Sequence, residues 1–137
     1  MTSKFECSIR QIPYPQQSVY NMLSDLNNIE KVKDKIPEDK VKELTFDANS
    51  ISISSPMGAI ELHITEREEP KCIKFETTKS PLPITLWIQL LPVTATSCKM
   101  RITIKTEVNI FLKGMIKKPM QQAIEKIADV LQMIRYE

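Results

Sequence analysis

One apolar stripe near the C-terminus restricts the fold of this chain more than any other sequence feature. Its residues recur in steps of three and four, which is typical of a helix with a single buried face. Such a face has to pack against another surface of the protein. We therefore predict a long helix from Ile116, placed after a strand that ends near Val108. The stripe consists of Ile116, Met120, Ala123, Ile124, Ile127, Leu131 and Ile134.

The chain ahead of this helix predicts seven short strands. Phe5, Cys7 and Ile9 alternate with polar residues, which indicates a first strand with one buried face. Between Val41 and Thr106 the same alternation recurs with short links, which favours an antiparallel meander of six further strands. Two short helices are predicted between the first and second strands. Pro15 opens one of them, and the other carries Leu26, Ile29, Val32 and Ile36.

This order of elements predicts an α+β fold. A curved seven-stranded antiparallel sheet would wrap around the long C-terminal helix, because only that helix has a stripe long enough to cover the sheet. A chain of 137 residues fits one domain, so we expect residues 1–137 to fold as a single unit.

Composition restricts the classes of function. Apolar content of 42%, charged content of 26% and a net charge of +2 are ordinary for a globular protein and argue against nucleic acid as a partner. The sequence has no secretory apolar run and no stretch long enough for an integral membrane segment, so we expect a cytoplasmic protein. Cys7, Cys72 and Cys98 lack the close spacing of a zinc site and are predicted to be reduced and mostly buried.

Three segments resemble the START-like helix-grip superfamily, also called SRPBCC. The resemblance lies in residues 12–28, in the strand from Leu86 to Val93 and in the terminal helix, so it spans nearly the whole chain. It implies a cavity between sheet and helix that holds an apolar ligand, as in coenzyme Q-binding and lipid-transfer relatives. It does not by itself imply catalysis. The residues that match the opening signature are Pro15, Val19, Tyr20, Leu23 and Asp25.

The apolar parity of the strands predicts which residues would line that cavity. Hydroxyls of Thr77 and Thr106, with the thiols, are the polar groups expected there. An apolar turn before Pro119 would form the cavity mouth, and Pro119 either starts the main helix or kinks it. The predicted ligand-binding residues are Leu62, Phe75, Leu86, Ile88, Met100, Ile102 and Ile104 on the sheet, Phe111, Met115 and Ile116 at the mouth, and Met120, Ile124 and Ile127 on the helix.

The sequence predicts no catalytic residue, metal ligand or cofactor site. His63, the single histidine, has the parity of the outer face. Acidic residues cluster in turns among lysines and arginines, which is typical of solvated faces. The sequence also has no glycine-rich phosphate loop and no cluster of histidine and cysteine ligands.

Two surface features have alternative interpretations. Lys113, Lys117 and Lys118 could attract an anionic head group near the cavity mouth, although a solubilising patch is the simpler interpretation. Trp87 has outward parity, so it could form a cation–π pair with Arg101 or Lys105 or mark the surface of a homodimer. A bulge in the strand would instead turn Trp87 inward.

These features lead to three functional hypotheses. The first is non-catalytic binding or transport of a hydrophobic small molecule such as a lipid, a quinone or a polycyclic metabolite. The second is an enzyme of the polyketide cyclase or aromatase type, which would need polar groups inside the cavity. The third is a protein-binding module, similar to the co-chaperone members of the superfamily, that uses Trp87 and the outer face of the sheet.

Overall fold

A single antiparallel sheet forms most of the protein. The computed structural model describes residues 2–28, 44–55, 58–79, 83–107, 110–134 and 136. Within these residues the sheet has eight strands. Seven of them pair in the order β1-β8-β7-β6-β5-β4-β3, and the eighth, β2, pairs with β8. The strands are β1 (Thr2–Glu6), β2 (Arg10–Ile12), β3 (Leu44–Phe46), β4 (Ser50–Ser55), β5 (Gly58–Glu68), β6 (Cys72–Lys79), β7 (Ile84–Thr94) and β8 (Ser97–Glu107).

Helices complete the predicted α+β, helix-grip architecture. Helix α1 (Gln16–Leu23) follows Pro15, as expected for a proline at the start of a helix. A 3-10 turn, Leu26–Asn28, follows it, and the rest of the second predicted short helix, with Ile29, Val32 and Ile36, lies outside the described residues. Helix α2 (Ile110–Met133) is the last helix or strand that the structure describes. The α+β prediction is therefore confirmed.

The first predicted strand is divided by a bulge. Glu6 pairs with Thr103 and Arg10 pairs with Met100, so this side holds one residue more than β8 between the two pairs. An extra residue reverses the alternation of side chains beyond it. Ile9, predicted to be buried, is consequently 62% exposed, whereas Ile12 is fully buried. The prediction for Ile9 was wrong for this reason, and the first predicted strand forms both β1 and β2 of the described sheet.

The inner face of the sheet is built in rows that run across the strands. Side chains of directly paired residues lie on the same face, so each row joins residues from neighbouring strands. We call the eight buried apolar residues at the centre of this face the inner wall. They are Phe5, Ile64, Ile73, Phe75, Leu86, Ile88, Ile102 and Ile104.

Helix α2 lies over one side of this sheet. It packs on β1, β2 and β8, whereas α1 packs on β6, β7 and β8. Ile124 and Ala128 are fully buried and four residues apart, so they mark the face of α2 that meets the core. This packing gives the predicted long helix its partner surface.

The beginning of α2 differs from the prediction. The segment from Phe111 to Lys118, predicted as a turn, is already helical, since α2 starts at Ile110 and continues through Pro119. Proline removes one helical hydrogen bond, here the one to the carbonyl of Met115, but does not end the helix. Packing of the later turns of α2 outweighs this local cost.

Candidate functional site

Polar side chains fasten α2 to β1, to β2 and to the bulge between them. Arg10 Nη2 lies 2.5 Å from Glu125 Oε2, and Arg10 also pairs with Asp129. The backbone N–H of Ser8, inside the bulge, donates to Glu125 Oε1 at 2.6 Å. That hydrogen bond, together with Arg10, lowers the pKa of the Glu125 carboxyl. Gln121 Nε2 adds a hydrogen bond of 2.9 Å to the carbonyl of Glu6.

These contacts also show how α2 runs relative to the sheet. Later residues of α2 contact later residues of β1 and β2, since Gln121 contacts Glu6 and Gln132 contacts Gln11. The first turns of α2 therefore lie alongside the start of β1. This end of the sheet is where the cavity mouth was predicted.

The structure brings most of the predicted ligand-binding residues together. Leu62 and Met120 are partly buried and pack against the core, whereas the side chains of Phe111 and Ile116 lie outside the described part of the structure. The remaining members on the sheet and the inner face of α2 are buried. These buried members are Phe75, Leu86, Ile88, Met100, Ile102, Ile104 and Ile124.

Two predicted members of this set are instead exposed. Ile127 is 38% exposed and Met115 is 72% exposed. Each residue turns an α-helix by about 100°, so Ile127 points well away from Ala128, which occupies the buried face. The apolar stripe in the sequence is wider than the face of α2 that is buried. Packing on β1, β2 and β8 determines which part of the stripe is buried.

A row of hydroxyl-bearing residues crosses the sheet beside the inner wall. Ser3 pairs with Thr106, and Thr106 pairs with Ile84. Thr77 adjoins this row, because its Oγ1 accepts a hydrogen bond of 3.0 Å from the N–H of Ile84. We call its three hydroxyl-bearing residues, Ser3, Thr106 and Thr77, the hydroxyl row. Sequence reasoning named Thr77 and Thr106 but missed Ser3, although Ser3 shares the parity of Phe5.

A pocket of about 370 Å³ lies at the same end of the sheet. It reaches the hydroxyl row on one side and the outer face, at Trp87 and Lys105, on the other. None of the predicted ligand-binding residues belongs to its described lining, so it differs from the predicted cavity. The described lining consists of Glu76, Thr77, Pro83, Ile84, Thr85, Trp87, Lys105, Thr106 and Glu107.

Trp87 lies on the outer face, as its parity predicts. The Nζ atoms of Lys74 and Lys105 lie 5.8 and 5.5 Å from the ring centroid, which is within cation–π range. The predicted pairing with Lys105 is thus confirmed, whereas Arg101 pairs with Glu6 at 3.1 Å instead. The strand keeps regular register from Ile84 to Pro92, so no bulge turns Trp87 inward.

The other charged candidates lie on α2 and on β5. Lys117 and Lys118 are exposed on α2, and the side chain of Lys113 lies outside the described residues. His63 is half-buried, and its Nδ1 has no hydrogen-bond partner among the residues that the structure describes. Among the described residues, no group of three histidine, cysteine, aspartate or glutamate side chains could hold a metal ion.

The three cysteines are free thiols. Cys7 and Cys98 are buried and Cys72 is half-buried, which confirms the prediction that the cysteines are mostly buried. Burial raises the pKa of all three thiols, so they favour the protonated form. In the part of the chain that the structure covers, no helix is long and apolar enough to cross a membrane.

Comparisons with known proteins give no match in sequence. No protein-family model and no curated protein matches the chain. Solved structures match in fold, however. A point mutant of norcoclaurine synthase from Thalictrum flavum, in complex with a transition-state analogue, superposes with a TM-score of 0.75 at 11% identity, covering 96% of this chain and 92% of that one.

Two bacterial structures extend this likeness. A START superfamily protein from Mycobacterium smegmatis has a TM-score of 0.69 at 11% identity and covers 96% of this chain and 94% of its own. A conserved protein from Geobacillus kaustophilus has a TM-score of 0.66 at 13% identity, with 96% and 93% covered. Identities this low establish the architecture alone. The chain therefore has the helix-grip fold of the START-like, or SRPBCC, superfamily.

Proposed function

We propose that this protein binds a hydrophobic small molecule between the inner face of its sheet and α2, and that it does so without catalysis. The observation that carries this proposal is a set of apolar side chains that the fold leaves incompletely covered. Four of them, on β4, β5 and α2, pack against the core yet are only partly buried: Ile51, Leu62, Met120 and Leu131. Covering such surface with an apolar ligand contributes about 25 cal/mol per Å² of area removed from water.

The charges on the inner face support a neutral ligand. Arg10 is engaged by Glu125 and Asp129. Arg67 donates to the carbonyl of Ser24 at 3.1 Å and to Asn49 Oδ1 at 2.7 Å. Because both guanidinium groups already have partners, they offer little to an anionic ligand. A lipid, a quinone or a polycyclic metabolite fits this proposal.

The first turns of α2 form the proposed entrance. Met115 is exposed there, and methionine side chains adapt easily to ligands of different shape. A contribution of Phe111, Ile116 and Lys113 to this entrance stays a prediction from the sequence. Lys117 and Lys118 could attract an anionic head group, although a solubilising patch is still the simpler interpretation. We expect a cytoplasmic location on the sequence grounds given above.

Ligand extraction combined with probe displacement tests this proposal. We expect mass spectrometry of the natively purified protein to detect a co-purified apolar compound. The neutral dye Nile red should bind with increased fluorescence and be displaced by that compound. Leu62→Glu should weaken dye binding at least tenfold, because it places a charge beside the inner wall.

Leu91→Glu is the matched control, since Leu91 is 64% exposed on β7, and it should leave dye binding unchanged. Trp87, the single tryptophan, lies on the outer face, so its emission should not respond to a ligand on the inner face. Equal weakening of dye binding by Leu62→Glu and Leu91→Glu would contradict binding at the inner face. A ligand response seen only in the emission of Trp87 would contradict it as well.

An enzyme of the polyketide cyclase or aromatase type is the first alternative. Its support is the shared fold with norcoclaurine synthase, one structure of which contains dopamine and hydroxybenzaldehyde. Against it, the described inner face offers hydroxyl groups and engaged arginines instead of a free general acid or base. The second alternative is a protein-binding module or homodimer that uses the face bearing Trp87, and sedimentation of the purified protein would reveal a dimer.

A further inference from the structure

One buried hydroxyl on the inner face lacks a hydrogen bond. Ser3 is 4% exposed, and its Oγ has no hydrogen-bond partner in the described part of the chain. A buried polar group without a partner costs about 1–3 kcal/mol, so native proteins rarely keep one unless water, an ion or a ligand satisfies it. His63 Nδ1 is the other such atom among the described residues, but the parity of His63 places it away from the inner face.

Neighbouring hydroxyls do not share this property. Thr106 Oγ1 donates to the carbonyl of Pro83 at 2.8 Å, and Thr77 Oγ1 accepts from the N–H of Ile84. Both therefore stabilise the strands that carry them. Ser3, at the β1 end of the hydroxyl row, is the member without a hydrogen-bond partner among the described residues.

The position of Ser3 relates it to the proposed ligand site. Ser3 precedes Phe5 on the same face of β1, so its hydroxyl borders the inner wall. The first turns of α2 lie alongside this end of β1, where the entrance is proposed. A ligand bound between the inner face and the first turns of α2 would reach Ser3 with one end.

We propose that the ligand is amphiphilic, with an apolar body between the inner face of the sheet and α2 and one uncharged hydroxyl or carbonyl group hydrogen-bonded to Ser3 Oγ. This inference rests on the proposed function and narrows its ligand class. A serine hydroxyl can donate to a carbonyl and can accept from a hydroxyl, so either group fits. A charged group does not fit, because a buried charge needs a charged partner that a lone hydroxyl does not supply.

Two probes of similar shape test the proposal. We would measure the Kd of 2-naphthol and of 2-methylnaphthalene by displacement of Nile red, and compare the ratio of the two Kd values between proteins. In Ser3→Ala this ratio should shift against 2-naphthol by about three- to tenfold, the effect of one neutral buried hydrogen bond. Thermal unfolding checks that the variant is folded.

Thr103→Val is the matched control. Thr103 is as buried as Ser3 but lies on the outer face, where its hydroxyl donates to Gln89 Oε1 at 3.1 Å, so the ratio should stay at its wild-type value. If both probes bind and Ser3→Ala leaves the ratio unchanged, the role of Ser3 is overturned while inner-face binding stands. If neither probe displaces the dye from the wild-type protein, both proposals fail.

Discussion

Arg10 and Glu125 join the sheet to the C-terminal helix through an ion pair whose Nη2 and Oε2 atoms lie 2.5 Å apart. The Arg10 side chain is only 14% exposed, so solvent screens this pair less than a pair on the open surface. Glu125 also accepts the N–H and the hydroxyl of Ser8, the residue that follows Cys7 into the bulge. The Glu125 carboxylate therefore accepts hydrogen bonds from the bulge and also anchors α2 to the sheet.

This pair predicts a pH-dependent loss of stability. Glu125→Gln should lower the free energy of unfolding by about 1 kcal/mol at pH 7, because it removes a charge-assisted hydrogen bond that is partly exposed. The folded state lowers the pKa of Glu125, so the ionised carboxylate stabilises the protein above the ordinary value of 4.5. As the pH falls below 4.5 and through the lowered pKa, the wild-type protein should lose this advantage.

Urea unfolding at pH 7 and at pH 3 measures the difference in stability between the two proteins, which should be smaller at pH 3 than at pH 7. Glu68→Gln, which changes an exposed carboxylate on β5, is the control and should have little effect at either pH. A difference for Glu125→Gln that persists unchanged at pH 3 would argue against the ion pair.

A substitution of Gly114 tests where α2 begins. Gly114 lies inside the helix, and a Cβ added there meets nothing within 4 Å. Gly114→Ala should therefore raise the free energy of unfolding by roughly 0.5–1 kcal/mol, because alanine has the higher helix propensity. The midpoint temperature of thermal unfolding and the helical circular dichroism signal should both increase. A loss of stability would show that residue 114 needs the freedom of a turn, as the sequence suggested.

A pair of isoleucine substitutions tests the bulge. Ile102 is fully buried at the centre of β8, whereas Ile9 is largely exposed. Ile102→Val should destabilise the protein by about 0.5–1.5 kcal/mol, and Ile9→Val should change stability by less than about 0.5 kcal/mol. The two variants lose the same methylene group, so denaturant midpoints compare the two environments directly. Equal losses would indicate unbroken alternation through Ile9.

The unpartnered hydroxyl of Ser3 predicts an unusual gain of stability in the absence of ligand. Ser3→Ala should raise the free energy of unfolding by about 1 kcal/mol, because it removes a buried group whose desolvation is not offset. Thr103→Val, which deletes a hydroxyl bonded to Gln89, should instead lower it by about 0.5–1.5 kcal/mol. A clear loss of stability in Ser3→Ala would mean that the hydroxyl has a partner within the protein.

Local pattern predicted most of the architecture. Period-two alternation in Leu86 and Ile88 identified the inner face correctly, and Pro15 located the start of α1, because these features depend on the nearest residues along the chain. The pattern was wrong where one residue changes the register, as at Ile9, and where distant packing continues a helix through Pro119.

The sequence by itself determined the class of fold and the apolar character of the inner face. Tertiary structure alone decided that no bulge turns Trp87 inward, which side of α2 is buried and that Glu125 fastens the helix to Arg10. It also left Ser3 without a hydrogen bond among the residues that the structure describes. The physical reason is that periodicity reports which residues share a face, whereas hydrogen-bond partners depend on the distances between elements far apart along the chain.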